Sequence, residues 1–152
     1  MKEIFGQAMG YYKRRGFILC VTTNGFLKKD GTGVMGRGIA LQVTEEDSTL
    51  PALLGKSLQC RGNVVSRLTP EILTFPTKHV WMQDADPKLI VQSAIALKEI
   101  AEKLSQMTFI LPRPGCGNGG LKWENVKPLL EAVNLPENIW IIGKWEERPK
   151  HV

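Results

Sequence analysis

The sequence has no long apolar run, only three cysteines and few aromatic residues, and these shortages exclude several classes of protein. No apolar run approaches the ~20 residues of a membrane span. The first residues, MKEIFGQAMGYYKRRGF, have neither the apolar core nor the cleavage site of a signal peptide. We therefore expect a cytoplasmic protein with no membrane partner. Cys20, Cys60 and Cys116 form no C-x-x-C pair and leave an odd count, so we expect reduced thiols, no metal site and no cofactor.

The charge balance favours an anionic partner without identifying it. Twenty Lys and Arg residues against fifteen Asp and Glu residues give a net charge of +5. The densest basic clusters, Lys13–Arg15 and Lys28–Lys29, are short and lack the interleaved aromatic residues of a single-strand binding surface. A solvated basic surface is therefore the favoured interpretation, and a basic nucleic-acid-binding module is the weaker alternative.

The length and the pattern of apolar runs predict one α/β domain over residues 1–152, and we expect a monomer. Buried strands are predicted at Gly16–Thr22, Ile72–Phe75, Met107–Leu111 and Asn138–Ile142, with a more polar, peripheral strand at Asn63–Leu68.

Three helices are predicted between these strands. The clearest one has Asp86 as its N-cap and Pro87 in its first position, and its apolar residues recur at three- and four-residue spacing as far as Leu104. Weaker patterns follow Gly36 and Trp123. A helix beginning at Trp123 contains Pro128, which we expect to lie within the first turn, where amides lack intrahelical partners.

Two glycine-rich loops follow predicted buried strands. The first, 22–40, contains Gly31, Gly33, Gly36 and Gly38, and the second has four glycines in the six residues 115–120. Such clusters imply positive φ angles or a backbone that lies against something with no room for a Cβ. Each loop can also present backbone N–H groups and a helix N-terminus on one side of the sheet. Two such cradles suit a diphosphate, and the alternative is that the glycines only form tight turns.

Two common nucleotide-binding motifs are not supported. Gly31–Gly36 matches G-x-G-x-x-G, but Thr23–Asp30 separate it from the preceding strand, whereas the dinucleotide fingerprint follows its strand directly. Neither loop contains G-K-[ST], which excludes a phosphate-binding P-loop.

Several stretches together carry a resemblance to a known family. They are Thr23-Asn24-Gly25, Lys28-Lys29-Asp30-Gly31, Val34-Met35-Gly36-Arg37-Gly38-Ile39-Ala40, Phe75-Pro76-Thr77-Lys78, Pro112-Arg113-Pro114-Gly115-Cys116-Gly117 and Leu121-Lys122-Trp123-Glu124-Asn125-Val126. In this order they resemble a macrodomain, and more narrowly the branch with the terminal ADP-ribose protein glycohydrolases and the ADP-ribose-1″-phosphate-processing proteins. The resemblance spans nearly the whole chain.

The resemblance implies a three-layer α/β/α sandwich with a mostly parallel mixed sheet and an ADP-ribose cleft on its crest. Asn24 would bond the distal ribose, the segment from Gly33 to Ile39 would wrap that ribose and the phosphates, and the loop from Gly115 to Leu121 would close over the diphosphate. Trp123 would begin a helix whose dipole faces the phosphates. The ligand-binding residues implied in this way are Thr23, Asn24, Gly33, Val34, Met35, Gly36, Gly38, Ile39, Pro114, Gly115, Cys116, Gly117, Asn118, Gly119, Gly120 and Leu121.

The same resemblance implies a catalytic lysine. Lys78 matches the lysine that can attack the ribose C1″, but the loop position implied for an acid/base carboxylate holds Asn118, and an amide cannot shuttle a proton as a carboxylate does. Asp30 is the nearest substitute acid in the sequence. The alternatives are that Lys78 is a phosphate- or solvent-facing charge and Asp30 a turn residue. A Cys116 nucleophile has no evident base.

Some neighbours of the site cannot be assigned from the sequence. His79 and Arg113 are possible cationic neighbours of Lys78. Where macrodomains often carry an Asp for the adenine amine, this chain has Glu3, and no adenine contact is assigned to it. Tyr11, Tyr12 and Trp81 could stack on the base or simply pack.

Three classes of function follow from these residues. The first is an enzyme that binds ADP-ribose or a close derivative and hydrolyses it, by de-ADP-ribosylation or by ADP-ribose-1″-phosphate dephosphorylation. The second is a non-catalytic ADP-ribose reader, and the third is the nucleic-acid-binding module. The expected partner is ADP-ribose or an ADP-ribosylated substrate, with nucleic acid expected only where it is itself ADP-ribosylated.

Overall fold

The computed structural model describes residues 1–150 and contains a six-stranded sheet with four α-helices. The strands are β1 (Lys2–Phe5), β2 (Phe17–Asn24), β3 (Arg67–Thr69), β4 (Ile72–Lys78), β5 (Thr108–Pro112) and β6 (Ile139–Gly143). The helices are α1 (Gly38–Glu46), α2 (Leu50–Arg61), α3 (Pro87–Lys103) and α4 (Trp123–Val133), and short 3-10 helices lie at Ala8–Tyr11 and Trp145–Glu147.

The strand order places the two predicted glycine-rich loops side by side. The order is β1-β6-β5-β2-β4-β3, and every neighbouring pair is parallel except β3 with β4. Because β2 lies between β4 and β5, the loops that leave the carboxyl ends of these three strands meet at one edge of the sheet.

The side chains of the central strand β2 alternate between the two faces of the sheet, and each face is covered by a pair of helices. Ile18 and Cys20 of β2 point to the face covered by α3 and α4, whereas Leu19 and Val21 point to the face covered by α1 and α2. Since successive side chains of a strand face opposite sides, a strand buried on both faces is continuously apolar. The predicted α/β/α sandwich with a mostly parallel mixed sheet is confirmed.

The helix predictions hold with two corrections. Asp86 caps α3, as predicted, by accepting a hydrogen bond from the Lys88 amide at 2.9 Å. Pro128 is the sixth residue of α4. It therefore lies beyond the first turn and not within it as the sequence suggests, and its missing N–H removes one intrahelical hydrogen bond. The second correction is α2, which was not predicted.

Two further points concern the periphery of the fold. Of the predicted strand at Asn63–Leu68, only Arg67 and Leu68 belong to a strand, the antiparallel edge strand β3. No helix of residues 1–150 has the length and apolar character that crossing a bilayer demands.

Candidate functional site

A cleft of about 1920 Å³ opens at the carboxyl edge of the sheet. It is lined by residues 6–9, 22–24, 26, 28, 34–42, 77–78, 81, 112–113, 115–119 and 142–147. These segments follow all five parallel strands, so the cleft runs along the crest of the sheet from the β4 side to the β1 side.

Asn24 organises the first loop where it leaves β2. Its side-chain Oδ1 accepts a hydrogen bond from the Phe26 amide at 3.1 Å, and its Nδ2 donates to the Val34 carbonyl at 3.3 Å. The side chain therefore ties both ends of the loop together at the floor of the cleft. Nδ2 carries two hydrogens, so one remains for a ligand.

The N-terminus of α1 lies in the wall of the cleft. The helix begins at Gly38 with φ +57°, and the N-cap residue Arg37 makes no side-chain cap hydrogen bond. Residues 36–40 all line the cleft. The first-turn amides of a helix lack intrahelical acceptors and carry partial positive charge, so this wall suits an anion.

Gly33 lies outside the cleft lining and serves packing. A Cβ at this position would come within 2.5 Å of Leu54 Cδ2, and the Gly33 amide donates to the Pro51 carbonyl at 2.8 Å. The glycine therefore lets the first loop lie against α2, and its predicted contact with a ligand is not supported.

The second glycine-rich loop folds back on itself through its own backbone. The Leu121 amide donates to the Gly115 carbonyl at 2.9 Å, and the Gly120 amide donates to the Gly117 carbonyl at 3.3 Å. Gly115 and Gly120 have φ of +77° and +76°, so both occupy the left-handed region that favours glycine. Pro114, Gly120 and Leu121, predicted to contact the ligand, build this loop instead and do not line the cleft.

Gly117 differs from these loop-building glycines. A Cβ at this position would meet nothing within 4 Å, its φ is not positive, and it lines the cleft. Among residues 1–150, the amides of Gly117, Asn118 and Gly119 donate to no protein acceptor. This stretch therefore offers donors to a ligand from the wall opposite α1.

Lys78 and Asn118 come together, as the sequence predicted. Lys78 is the last residue of β4, in register with Asn24, and its Nζ donates to the Asn118 carbonyl at 3.0 Å and to the Trp81 carbonyl at 3.4 Å. The Lys78 side chain thus crosses from β4 to the second loop, and it carries positive charge to the β4 end of the cleft.

Asp30 does not line the cleft in this structure. Its carboxylate accepts hydrogen bonds from the Thr32 hydroxyl at 2.7 Å and the Thr32 amide at 3.0 Å, and these bonds hold the pKa of the carboxyl below its usual range. An ionised, exposed turn residue cannot donate a proton at neutral pH, so the placement does not support Asp30 as the substitute acid.

Cys116 is a poor nucleophile. Burial raises the pKa of its thiol to about 11, and Sγ lies 3.5 Å from the Pro114 carbonyl. Since the thiolate is the reactive form, a small packed side chain is the better interpretation.

The N-terminus of α4 does not face the cleft, contrary to the implication of the resemblance. The Trp123 indole donates to the Glu3 carboxylate at 3.2 Å, and the Arg113 guanidinium lies 4.8 Å from the centre of the Trp123 ring. Neither Glu3 nor Trp123 lines the cleft. The helix dipole available to an anion is therefore that of α1.

The β1 end of the cleft is formed by Arg113, which the sequence suggested as a neighbour of Lys78 but which lies here instead, and by residues 144–147, which the sequence did not identify. Arg113 pairs with Glu147 at 2.8 Å, and Glu147 also accepts a hydrogen bond from the Lys144 amide at 2.9 Å. The Trp145 side chain is 56% exposed, and the Arg148 guanidinium lies 3.6 Å from the centre of its ring. A tryptophan two residues after the last buried strand was the available signal in the sequence.

Tyr11, Tyr12 and His79, which the sequence suggested as neighbours of the adenine or of Lys78, make contacts outside the cleft. Tyr11 packs against Phe17 and Trp140, and neither Tyr11 nor Tyr12 lines the cleft. His79 pairs with Asp86 at 2.8 Å, which holds the pKa of the Asp86 carboxyl below its usual range.

The charge of the cleft is mainly positive. Its charged lining residues are Lys28, Arg37, Lys78, Arg113, Lys144, Glu146 and Glu147. Glu146 and Glu147 both lie at the β1 end. Among residues 1–150, the charged side chains that line the β4 end are therefore all positive.

The chain is also similar to solved structures along nearly its whole length. No family model matches it. The macrodomain of Thermus aquaticus DarG is 26% identical with a TM-score of 0.71, covering 93% of this chain and 97% of that one. The macrodomain of Mycobacterium tuberculosis DarG is also 26% identical, with a TM-score of 0.70, covering 92% and 95%. This chain has the macrodomain fold.

One curated relative of this macrodomain is a DNA ADP-ribosyl glycohydrolase of Mycobacterium tuberculosis. It is 31% identical over 118 residues, which cover 69% of this chain and 33% of the relative. The macrodomain therefore spans about a third of the length of the curated relatives it matches.

Proposed function

We propose that this macrodomain binds ADP-ribose in the cleft and removes it from an ADP-ribosylated nucleic acid. The names of the relatives support this substrate class, because they are DNA ADP-ribosyl glycohydrolases. The observation that carries the proposal is the position of Lys78, whose Nζ lies 3.0 Å from the Asn118 carbonyl at one end of a cleft with amide donors on both walls.

The two walls suit the two phosphates of ADP-ribose. On one wall lie the uncapped first turn of α1 and Gly36, and on the other the amides of Gly117 to Gly119. Amides directed at phosphate oxygens form charge-assisted hydrogen bonds, which are stronger than neutral ones. With the diphosphate between the walls, the distal ribose lies beside Asn24 and Lys78, and the adenine lies at the β1 end beside Trp145.

Lys78 can act on the scissile bond in two ways. As an ammonium it supports the departing group electrostatically or gives it a proton; as a neutral amine it attacks C1″ and expels the same group. In the free protein its Nζ donates hydrogen bonds to two carbonyls. The nucleophilic route therefore requires a bound substrate to displace at least one contact and a base to accept the proton.

A non-catalytic reader is the second candidate, and a specific observation favours it. The two carboxylates of the described lining, Glu146 and Glu147, lie at the end opposite Lys78, and Glu147 is paired with Arg113. A positioned general acid or base contributes roughly 10²–10⁴-fold to a rate. Without one beside Lys78, turnover depends on Lys78 and water.

The decisive experiment separates binding from release. Calorimetry with ADP-ribose and AMP should give much tighter binding of ADP-ribose, because the distal ribose and the diphosphate make most of the contacts. Release of ADP-ribose from a mono-ADP-ribosylated single-stranded oligonucleotide is then compared with dephosphorylation of ADP-ribose-1″-phosphate, which is the alternative reaction.

Lys78→Ala should lower ADP-ribose release by roughly 10²-fold or more while the affinity for ADP-ribose changes only a few-fold. Lys103→Ala, an exposed lysine at the end of α3, is the matched control and should behave as wild type. Borohydride-type trapping of an adduct on Lys78 would identify the nucleophilic role. Tight binding of ADP-ribose without release would support the non-catalytic reader. Equal affinities for AMP and ADP-ribose would refute the proposed binding mode.

A further inference from the structure

A group of large apolar side chains is exposed at the β4 end of the molecule, beside Lys78. Trp81 is 44% exposed and Met82 is 66% exposed; on the neighbouring loop after β2, Leu27 is 39% exposed. Trp81 lines the cleft and makes no ring contact with another aromatic residue among residues 1–150. Its indole is therefore available to a ligand.

The segment that presents Trp81 is held at both ends. The Trp81 carbonyl accepts from Lys78 Nζ at 3.4 Å, and His79 pairs with Asp86 at 2.8 Å. Further along, the Ala85 amide donates to the Gly119 carbonyl at 2.9 Å. A segment whose backbone is already held in place loses less conformational freedom on binding than a free loop does, so it presents Trp81 at a lower entropic cost.

The surroundings of Trp81 suit a polyanion. The charged residues that line the cleft at this end are Lys28, Arg37 and Lys78. Nearby acidic groups are Asp30, which interacts with Lys28, Asp86, which is paired with His79, and Asp84, whose carboxylate lies against Gly120; none of them lines the cleft. A flat aromatic side chain flanked by cations is the arrangement that binds single-stranded nucleic acid, where bases stack and phosphates meet Lys or Arg.

We propose that Trp81 is a specificity-determining residue of this site: its indole stacks on a nucleobase of the strand that carries the ADP-ribose, at the β4 end of the cleft. This inference rests on the proposed function, because it needs the distal ribose to lie beside Lys78. A duplex does not fit this role, since its base faces are already stacked on one another.

The test compares three ligands on the full chain: free ADP-ribose, an ADP-ribosylated single-stranded oligonucleotide and an ADP-ribosylated peptide. The oligonucleotide and the peptide carry the ADP-ribose through a non-hydrolysable linkage, so that the ligand is not consumed and the contact of Lys78 with the Trp81 carbonyl is kept. Trp81→Ala should weaken oligonucleotide binding by about 5- to 150-fold, the range that stacking on one base supplies. Free ADP-ribose and the peptide should bind as before, and Trp81→Phe should restore most of the affinity.

Trp145→Ala is the matched control, because it removes an exposed tryptophan from the other end of the same cleft. It should weaken free ADP-ribose and the oligonucleotide by the same factor. If Trp81→Ala weakens all three ligands alike, weakens the peptide as much as the oligonucleotide, or weakens none, the acceptor assignment is wrong. Those results would not affect the proposal that the protein binds ADP-ribose. Absence of ADP-ribose binding by the wild-type chain would overturn both that proposal and the assignment of Trp81.

Discussion

Replacing Gly117 with valine tests whether the second glycine-rich loop receives the diphosphate. Because a Cβ at this position meets nothing within 4 Å and the residue does not have positive φ, the substitution has space in the free protein and requires no strained backbone. The added side chain instead occupies the cleft in front of the amides of residues 117–119. Losing two hydrogen bonds to a charged phosphate, at about 1.5–3 kcal/mol each, should weaken ADP-ribose by roughly 10²- to 10⁴-fold.

The assay is calorimetry with ADP-ribose, alongside urea unfolding of the same preparations. Gly10→Val is the control, since Gly10 also has open space around its Cβ position and no positive φ but does not line the cleft. We expect both variants to unfold near the wild-type midpoint and only Gly117→Val to lose affinity. Normal binding by a folded Gly117→Val protein would show that the second loop is not the phosphate cradle.

Two further predictions concern stability and reactivity. Gly33→Ala should destabilise the fold by about 1–3 kcal/mol in urea unfolding, because its Cβ would press on the buried Leu54, whereas Gly10→Ala should cost little; equal midpoints would contradict the packing role of Gly33. Cys116 should resist alkylation by iodoacetamide at pH 8, where a thiol with a pKa of about 11 is roughly 0.1% ionised, and Cys116→Ser should retain turnover. Loss of turnover with intact ADP-ribose binding in Cys116→Ser would reopen a nucleophilic role.

The layered fold could be predicted because its signals are local. A strand buried on both faces, such as β2, needs apolar residues throughout its length. The N-cap and the periodic apolar residues of α3 lie within one continuous stretch of the sequence, so the helix can be recognised there. Helix α2 gives no such signal. It has Pro51 in its first turn and Gly55 in its interior, and only Leu50, Leu54 and Gly55 are buried. Its helical state is decided by packing under the first loop, which a local pattern does not reveal.

The candidate site could be predicted only in part, for a similar reason. Lys78 and Asn118 follow β4 and β5, the two strands that flank β2, so their contact depends on a strand order that the alternation of strands and helices does not by itself fix. The β1 end depends on Arg113 reaching Glu147, a contact across 34 positions that brings Trp145 to the cleft. No spacing rule predicts such a contact.

Asn118 shows why the second loop can work without an acid at this position. Its backbone carbonyl accepts a hydrogen bond from Lys78 Nζ. Its side-chain Nδ2 lies 3.5 Å from the Cβ position of Gly38, at the start of α1. A carboxylate in place of this amide would face the N-terminus of α1, which favours the ionised form, and it would compete with a phosphate for the amides of that first turn. An amide keeps those donors free for the ligand, at the cost of the proton transfer that a carboxylate supplies. The chemistry at the scissile bond therefore depends on Lys78, which is why its replacement, more than any change at position 118, distinguishes the enzyme from the reader.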